Sequence, residues 1–572
     1  MTIRKFFFTI ALPATAVTLL LGSCADQDVP SYSVAEPDSI ANLDYLADYD
    51  ALKSYVSGDF KLGAGADATS FEDHDILYRI TCANFNEITP GNEMKFSSVV
   101  DDDGTMDYNT IVDFISEAQE AGLTVYGHTL AWHSQQNTTY LNSCLEDKEV
   151  IDGDLSEVDV EDYYYSYADV TAFPWYDMGG IDFTFDGTSM TATMNGSDWQ
   201  QFFVYDGATM YEDYDYTVNA YIKSDISGSF GVVMGDWSSS GSGTMNVSTE
   251  WMERSAEMEG VPSTSGFVIF QPGVWAGNIS IQWIQVTHKE TVGYSLVEQT
   301  DEEKKDTLTK VMDKWIEGMM EACEGYVTAW DVVNEPISGT DLDGDGYYDL
   351  WSLTRGTVSE EDAEGNFYWQ DYLGDLDYVR TAVSSARTHF ATYGGNSSDL
   401  KLFVNDYNLE SDWDDNLKVK SLIHWIDEWE SDGETEIDGI GTQMHVSYYA
   451  DDDTQASKEE HITEMFELLA ETGKLIRISE LDMGYVDEDG NTVETDDLTD
   501  DMQAEMADFY TFIIGEYLSI IPTDQQYGIT QWCITDASSS ASWRASEPVG
   551  LWTEDYDRKR AYGGFADGLL GK

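Results

Sequence analysis

The sequence predicts an α/β protein, a closed (β/α)8 barrel with an all-β domain inserted after its third strand. Short apolar, β-branched runs end abruptly in polar side chains, as buried parallel strands do where they reach solvent. Amphipathic helical patterns alternate with these runs, which is typical of parallel α/β sheets. The runs number eight, which is the count that closes a barrel, and one interval between them is far longer than one helix requires.

The predicted strands follow one another through most of the chain. They are Lys61–Ala66, Asn86–Lys95, Leu123–His133, Trp330–Pro336, Lys401–Asn408, Ile437–His445, Ile476–Asp482 and Tyr527–Asp536. The helical patterns between them cover Asn109–Ala121, Glu302–Cys323, Leu376–Tyr393, Leu417–Trp429, Lys458–Glu471 and Asp500–Leu518. The barrel is therefore expected to comprise two stretches of chain, residues 43–145 and 293–572.

Two of these apolar runs end in glutamate, at Glu335 and at Glu480. One such glutamate alone could simply cap a strand. Two on different strands are poorly explained by packing, because the C-terminal ends of barrel strands are where active sites lie. The sequence therefore suggests a pair of carboxylates of the kind that breaks glycosidic bonds.

Seven motifs resemble the family 10 glycoside hydrolases, which are chiefly endo-1,4-β-xylanases. They are Thr89–Lys95, Gly127–Ser134, Trp330–Pro336, Asn405–Asn408, Gln443–His445, Ser479–Asp482 and Ser542–Arg544, in the family's order. Together they span roughly two-thirds of the chain, and such an ordered set is specific where one motif alone is weak. The resemblance implies a TIM barrel and a retaining endo-1,4-β-xylanase that hydrolyses internal bonds of xylan by double displacement, with no required cofactor.

The resemblance also implies roles for the catalytic residues. Glu480 matches the nucleophile, and Glu335 matches the proton donor that later acts as a base. The charge on Glu480 would keep Glu335 protonated until Glu480 becomes an ester. Asn334 matches the residue that hydrogen-bonds the sugar 2-hydroxyl, and His445 matches the link between the nucleophile and Asp482.

Further motif residues match sugar-binding positions of the family. Those expected to bind xylan on the non-reducing side are Asn92, Lys95, His128, Trp132 and Gln443, with Trp532 and Trp543 as aromatic walls. Two positions depart from the family's pattern, because Gly91 replaces a glutamate and Phe96 replaces a tryptophan. Loss of one charge-assisted hydrogen bond is worth about 1.5–3 kcal/mol, so the second subsite is expected to be weaker or differently shaped.

The long interval after the third strand predicts an inserted domain at residues 146–292. Short alternating segments there indicate a β-sandwich. It resembles a jelly-roll carbohydrate-binding module, as found in some xylanases from Bacteroidetes-type bacteria, although a purely structural insertion is the alternative. The candidate sugar-stacking residues are Trp175, Trp199, Trp237, Trp251 and Trp275, whereas Trp283 is expected in the core.

The N-terminus is typical of an exported protein. Residues 1–23 combine a basic start, an apolar stretch and small residues, which indicates a signal peptide. Cys24 follows Leu-Gly-Ser, which resembles the bacterial lipobox, and residues 24–42 resemble a tether. The expected protein is lipid-anchored to the outer membrane at the cell surface, and a plain signal peptide is the alternative.

Composition excludes one class of partner. The formal net charge is -81, which would repel nucleic acid. The charge reflects either adaptation to salt or simply a solvated acidic surface. The remaining cysteines, Cys82, Cys144, Cys323 and Cys533, show no disulfide spacing, and buried thiols are expected.

One acidic loop resembles half of a calcium-binding loop. Its carboxylates are Asp341, Asp343, Asp345 and Asp349, but Ser352 occupies the position where such loops carry glutamate. An acidic surface loop is the alternative to a weak structural calcium site.

Two other functions compete with a xylanase. The same barrel could act on a mixed-linkage or other β-glucan. The alternative outside the enzymes is a surface lipoprotein that binds glycans and has lost catalysis. Against it stands the presence of all four expected catalytic residues, Glu335, Glu480, Asn334 and His445.

Overall fold

The structure is a computed structural model that describes residues 44–572. The predicted signal peptide, Cys24 and the tether lie outside the described residues. Contacts divide the chain into two compact units, one comprising the chain up to Tyr140 together with Leu308–Lys572, and the other Leu141–Thr307. Among the described helices, none is both long enough and apolar enough to cross a membrane.

The first unit is a closed barrel of eight parallel strands, as predicted. They are β1 (Lys61–Ala66), β2 (Glu87–Pro90), β3 (Thr124–Ala131), β4 (Ala329–Asn334), β5 (Lys401–Asp406), β6 (Gly439–Thr442), β7 (Leu475–Val486) and β8 (Gln526–Gln531). Neighbours in this order pair in parallel, and β8 pairs with β1. The barrel closes because every strand has two partners, which leaves none of the eight at an edge.

Helices lie between the strands. Their bounds are Ala68–Glu72, Ile76–Asn84, Phe96–Val99, Asn109–Ala121, Thr138–Ser143, Asp301–Cys323, Gln370–Leu373, Asp377–Thr392, Leu417–Glu430, Asp452–Glu471, Asp500–Ile520 and Arg560–Leu569. Short 3₁₀ turns cover Asp44–Asp48, Leu52–Tyr55 and Thr495–Asp497.

Local sequence explains several helix ends. The Asp451 and Thr499 side chains accept backbone N–H groups of the first turn that follows them, as N-caps do. Helix Asn109–Ala121 ends at Gly122, which adopts φ 73°, the left-handed conformation that glycine tolerates best.

Most predicted strands differ from those observed in their bounds; the strand predicted at Tyr527–Asp536, for instance, ends at Gln531. Two further differences affect the loops that line the cleft. The strand predicted at Asn86–Lys95 is only Glu87–Pro90, because the chain turns at Gly91, whose N–H donates to the Ala66 carbonyl. The strand predicted at Ile437–His445 breaks after Thr442, because Met444 adopts φ 57°. The chain resumes as a strand at His445–Tyr449, which pairs with the outer half of β7. Gln443 and His445 therefore do not lie on one regular strand, so the alternation of side chains along a strand does not decide which way each of them points.

The second unit consists of two antiparallel sheets. The first contains Asp177–Met178, Gln201–Met210, Gly228–Gly235, Ser240–Val247 and Thr264–Gln271. The second contains Lys148–Ser166, Asp182–Phe185, Met190–Asn195, Tyr216–Ser224, Met252–Glu257 and Ala276–Val297. One apolar core takes side chains from both sheets, including Val204, Val268, Val218 and Ile279, so the sheets face each other. The predicted bounds of 146–292 fall within this unit, and the jelly-roll connection stays a prediction.

The prediction that Trp283 lies in the core of the insert is wrong. Ile281 and Ile284 are both buried in that core, and the register of the ladder shifts between Ile281 and Trp283. Such a bulge turns the following side chain to the other face of the sheet. Trp283 is accordingly only half-buried and stacks on Tyr221 at a centroid distance of 6.2 Å.

Candidate active site

A cleft of about 1250 Å³ opens at the C-terminal ends of the barrel strands. Residues that end or directly follow seven of the eight strands line it, and Glu480 contributes from within β7. The lining includes these predicted residues: Asn92, Lys95, His128, Trp132, Asn334, Glu335, Gln443, His445, Glu480, Trp532 and Trp543. Asp482 does not line the cleft but lies behind His445. The barrel therefore brings together side chains that are hundreds of residues apart.

Glu335 directly follows β4 and has φ 52°. Its N–H donates to the Asn405 carbonyl at 2.7 Å. Its carboxyl oxygens accept hydrogen bonds from Trp132 Nε1 and Gln443 Nε2, both at 2.9 Å. Burial raises the pKa of Glu335, and the negative charges of Asp406 and Glu480 raise it further against these two hydrogen bonds.

Glu480 lies within β7, which continues past the barrel rim to Val486. Its carboxylate accepts a hydrogen bond from Asn405 Nδ2 at 2.8 Å and lies 3.3 Å from His445 Nε2. Burial alone would raise the pKa of Glu480, but the hydrogen bond to His445, the His128 and His445 charges and the Asn405 amide outweigh it. The pKa of Glu480 is therefore held well below its ordinary value, so the side chain is ionised.

His445 links Glu480 to a fully buried carboxylate. Its Nδ1 lies 2.9 Å from Asp482 Oδ2. Burial opposes a charge on His445, yet the charge and hydrogen bond of Asp482, with those of Glu480, raise the pKa of His445 to about 10. Asp482 also accepts hydrogen bonds from Trp543 Nε1 at 2.9 Å and Arg544 Nη1 at 2.7 Å. The imidazolium is thus fixed between two carboxylates.

Sequence reasoning missed three functional side chains. Asn405 donates to Asn334 Oδ1 at 2.9 Å as well as to Glu480. Asp331 lies 2.8 Å from His128 Nδ1, and Arg544 holds Asp482. Asn405 and Arg544 lie inside the quoted motifs, so their position at strand and loop ends was a usable signal. Asp331 also lies inside a quoted motif, Trp330–Pro336, but it stands within the buried strand and not at its end, so its position gave no such signal.

The loop after β2 carries two of the residues expected to bind sugar on the non-reducing side, Asn92 and Lys95. Lys95 Nζ lies 3.4 Å from Asn92 Oδ1 and 5.0 Å from the centroid of the Trp132 ring. Burial lowers the pKa of Lys95, and the Glu480 and Glu335 carboxylates oppose that change. A Cβ at Gly91 would meet only the Ala66 carbonyl oxygen at 3.8 Å, so this position is open. Phe96 is buried against Trp315 and Trp369.

Three of the four carboxylates of the acidic loop lie close together. Ligand atoms of Asp341, Asp343 and Asp345 lie within 4.8 Å of one another, and all three residues are exposed. Asp349 instead accepts the Leu342 N–H at 2.7 Å. Ser352, at the position of the expected glutamate, is buried. The donor set fits calcium only in part, and the calcium site stays a prediction.

The five tryptophans proposed for the insert differ in exposure. Trp199 and Trp237 are 81% and 70% exposed. Trp175 and Trp275 pack against the core of the insert. Trp251 is half-buried and stacks on Tyr221 at a centroid distance of 5.5 Å. Only the first two therefore present most of their rings to solvent.

Comparisons with known proteins agree with this arrangement. The model of glycosyl hydrolase family 10 matches residues 51–163 and 285–568. Endo-1,4-beta-xylanase C of Paenibacillus barcinonensis is 28% identical over 272 residues, 46% of this chain and 22% of that protein. Endo-1,4-beta-xylanase A of Caldicellulosiruptor saccharolyticus is 27% identical over 270 residues, 46% of this chain and 65% of that protein. The chain thus spans less than two-thirds of the length of either relative.

Solved structures share the fold. A family 10 structure from Paenibacillus barcinonensis has a TM-score of 0.52 and 19% identity, covering 91% of this chain and 98% of that one. Native xylanase 10C from Cellvibrio japonicus has a TM-score of 0.51 and 18% identity, covering 92% and 74%.

Proposed function

Because the chain belongs to glycosyl hydrolase family 10, we propose that it is a retaining endo-1,4-β-xylanase that degrades xylan. One observation carries the proposal, namely the opposite environments of two glutamates in one cleft. Glu335 is partly buried and its pKa is raised, whereas the pKa of Glu480 is lowered by its hydrogen-bond partners. A protonated acid beside an ionised nucleophile is what retaining glycoside hydrolysis requires.

The proposed first step forms a covalent intermediate. Glu480 attacks the anomeric carbon while Glu335 gives its proton to the departing glycosidic oxygen. His445 and Asn405 keep the attacking carboxylate oriented. Trp132 and Gln443 hold Glu335, which limits its carboxyl group to one donating position.

The proposed second step reverses the role of Glu335. Esterification removes the charge of Glu480, so one of the charges that raise the pKa of Glu335 is lost. Glu335, now a carboxylate, takes a proton from the water that attacks the anomeric carbon on the same face, and the bond between Glu480 and the sugar breaks. The anomeric configuration is retained because two inversions occur in sequence.

A neutral polysaccharide suits the rest of the cleft. Trp532 and Trp543 offer aromatic surfaces, which attract the apolar C–H faces of sugar rings. Asn92 and Gln443 are neutral hydrogen-bonding groups that match hydroxyls. The strongly negative chain would repel an acidic polymer, and xylan backbones carry no intrinsic charge.

The experiment is reducing-sugar release from xylan, mixed-linkage β-glucan and cellulose. We expect xylan to be cleaved fastest, Glu480→Ala to abolish turnover, and Glu335→Ala to spare the first step on aryl glycosides whose leaving group needs no proton. NMR of the first-formed product should show that the anomeric configuration of the substrate is retained. Xylan cleavage by Glu480→Ala, or a product of inverted anomeric configuration, would contradict the proposal. Faster cleavage of β-glucan than of xylan would make β-glucan the substrate instead.

We further propose that the insert binds the polymer. Trp199 supports this, because it is 81% exposed and its backbone adopts φ 65°, a left-handed conformation that is uncommon for a bulky residue. Trp237 is the second exposed ring. A tethered binding domain would raise the effective concentration of xylan for the barrel.

We also propose that the protein is exported and lipid-anchored to the bacterial outer membrane at Cys24. The support is the sequence around Cys24. Metabolic labelling with a radioactive or clickable fatty acid should mark the wild-type protein in its bacterial host but not Cys24→Ser. Equal labelling of both proteins would contradict the anchor.

A further inference from the structure

A buried ion pair lies behind the proposed proton donor. Lys418 Nζ is 2.8 Å from Asp406 Oδ1, and the two residues are 5% and 0% exposed. Asp406 ends β5, and Lys418 is the second residue of helix Leu417–Glu430. Removing two charges from water offsets much of their attraction, so such a pair contributes little net stability. Stability alone therefore does not account for its presence at this place.

Asp406 holds the backbone next to Glu335. Its Oδ2 accepts the N–H of Ile337 at 3.1 Å, two residues beyond the proton donor. The neighbouring Asn405 carbonyl accepts the N–H of Glu335 itself at 2.7 Å. Glu335 has φ 52°, a left-handed conformation that is strained for a residue other than glycine. The end of β5 thus holds the strained peptide from both sides.

Lys418 supports the cleft wall beside the same carboxyl group. Its ammonium lies 3.3 Å from the centroid of the Tyr407 ring, and Tyr407 lines the cleft. A desolvated cation is attracted electrostatically to the face of an aromatic ring. One ammonium therefore neutralises Asp406 and fixes Tyr407.

We propose that Asp406 and Lys418 are positioning residues for the proton transfer. Asp406 holds Glu335 at its donating position and places a negative charge behind it, while Lys418 keeps Asp406 ionised and Tyr407 in place. This rests on the proposed glycoside hydrolysis. The ionisable groups that face Glu335 are Asp406, Glu480, Lys95 and the Tyr407 phenol.

The charge relationships agree with this assignment. Burial is the main reason for the raised pKa of Glu335, and among charges Asp406 contributes more than Glu480. Burial also raises the pKa of Asp406, and the charge and hydrogen bond of Lys418 oppose that rise. Loss of the Asp406 charge therefore makes Glu335 a stronger acid, which loses its proton at lower pH.

The test is the double variant D406N/K418M, which removes both charges and leaves neither buried alone. Activity falls as pH rises through the pKa of the proton donor. We expect this alkaline limb of the kcat/KM profile on linear xylo-oligosaccharides to move to lower pH by about half a unit. At pH values on the alkaline side of the limb, kcat/KM should then fall about threefold. An aryl glycoside with a good leaving group should lose less, because its first step needs no proton.

Controls separate this role from a purely structural one. K418R keeps the charge and should keep the limb in place. K474M removes a less buried ion pair, Lys474 with Glu430 at 2.9 Å, beside the first residue of β7, and should not move the limb. If the double variant fails to fold, as judged by circular dichroism, D406N alone should move the limb in the same direction.

Two outcomes overturn the inference. One is an unmoved limb in a folded variant. The other is an equal loss at every pH and on both substrates, because a loosened structure acts in that way. A wild-type protein that turns over neither substrate would instead overturn the proposed function, and this inference with it.

Discussion

Glu335 and Glu480 have the same side chain and opposite acidities because their neighbours differ. Glu335 is partly buried among neutral donors and near other carboxylates, so burial and charge both favour its protonated form. Glu480 is more fully buried, but His445 and Asn405 stabilise its charge. Asp482 and Arg544 act one step further out, since they hold His445 in its cationic state and in its orientation. The division of roles is therefore set by individual hydrogen bonds.

These acidities predict a broad pH profile. Glu480 must be ionised and its folded pKa is lowered, so activity should persist below the ordinary glutamate value of about 4.3 and fall only at more acid pH. Glu335 must be protonated and its pKa is raised, so the alkaline limb should lie above that value. The measurement is kcat/KM against pH, within the range where circular dichroism shows a folded protein.

A variant checks the acid limb. H445Q removes the positive charge beside Glu480, which raises the pKa of that carboxyl, so the acid limb should move to higher pH. An acid limb that is unchanged in H445Q would contradict the role given to His445.

Gly91 gives a second prediction at this scale. Its φ is not positive and a Cβ there has room, so a side chain should be tolerated. G91E should supply a charge-assisted hydrogen bond to a sugar hydroxyl, worth about 1.5–3 kcal/mol, and lower KM for xylotriose about tenfold or more. G91A fills the same space without an acceptor and is the matched control. Equal KM values for the two variants would rule out the contact.

At the scale of elements, single residues redirect two strands. Met444 adopts the left-handed conformation and ends β6, so the chain can cross to pair His445–Tyr449 with the outer half of β7. A bulge after Ile281 turns Trp283 from the core of the insert to its surface. Both irregularities place side chains that regular alternation would have pointed elsewhere.

The insert gives the prediction at this scale. Strands Lys148–Ser166 and Ala276–Val297 are antiparallel partners, and Lys148 pairs with Val297 at the end of their ladder. Replacing residues 148–297 by a short Gly/Ser loop therefore removes both strands together. We expect hydrolysis of short xylo-oligosaccharides to stay nearly intact and binding to insoluble xylan to weaken several-fold. The measurement is the bound fraction against xylan concentration.

Point variants of the insert sharpen this test. W199A/W237A should weaken binding as the deletion does, without lowering the melting temperature, because both rings are exposed. W275A is the control, since Trp275 packs in the core and its loss should lower stability. Unchanged binding in both the deletion and W199A/W237A would leave the insert with a structural role only.

At the scale of the whole molecule, charge is the dominant feature. The chain has 109 acidic residues against 28 Lys and Arg, so most surface carboxylates have no cation to pair with. Ion pairs such as Lys148 with Glu303 neutralise only a few of them. Repulsion among the remainder acts against the compact state.

Salt should therefore stabilise the fold. The screening length falls from about 10 Å at 0.1 M to about 3 Å at 1 M, so added NaCl should raise the melting temperature by several degrees. Sucrose is the control for effects of solute exclusion, because it carries no charge. A melting temperature that does not change with NaCl would favour an acidic surface that is simply well solvated.

The sequence by itself determined the barrel and the pair of glutamates on two of its strands. Buried runs that end in polar residues are a local signal, and seven ordered motifs identified Glu335, Glu480 and most of the cleft. The tertiary structure alone decided which groups meet. Asn405 bridges Asn334 and Glu480, and Lys418 reaches Asp406 and Tyr407, because barrel closure and helix packing bring these residues together. Periodicity reports which face of an element is buried, whereas burial, pairing and acidity depend on neighbours that are distant in the chain.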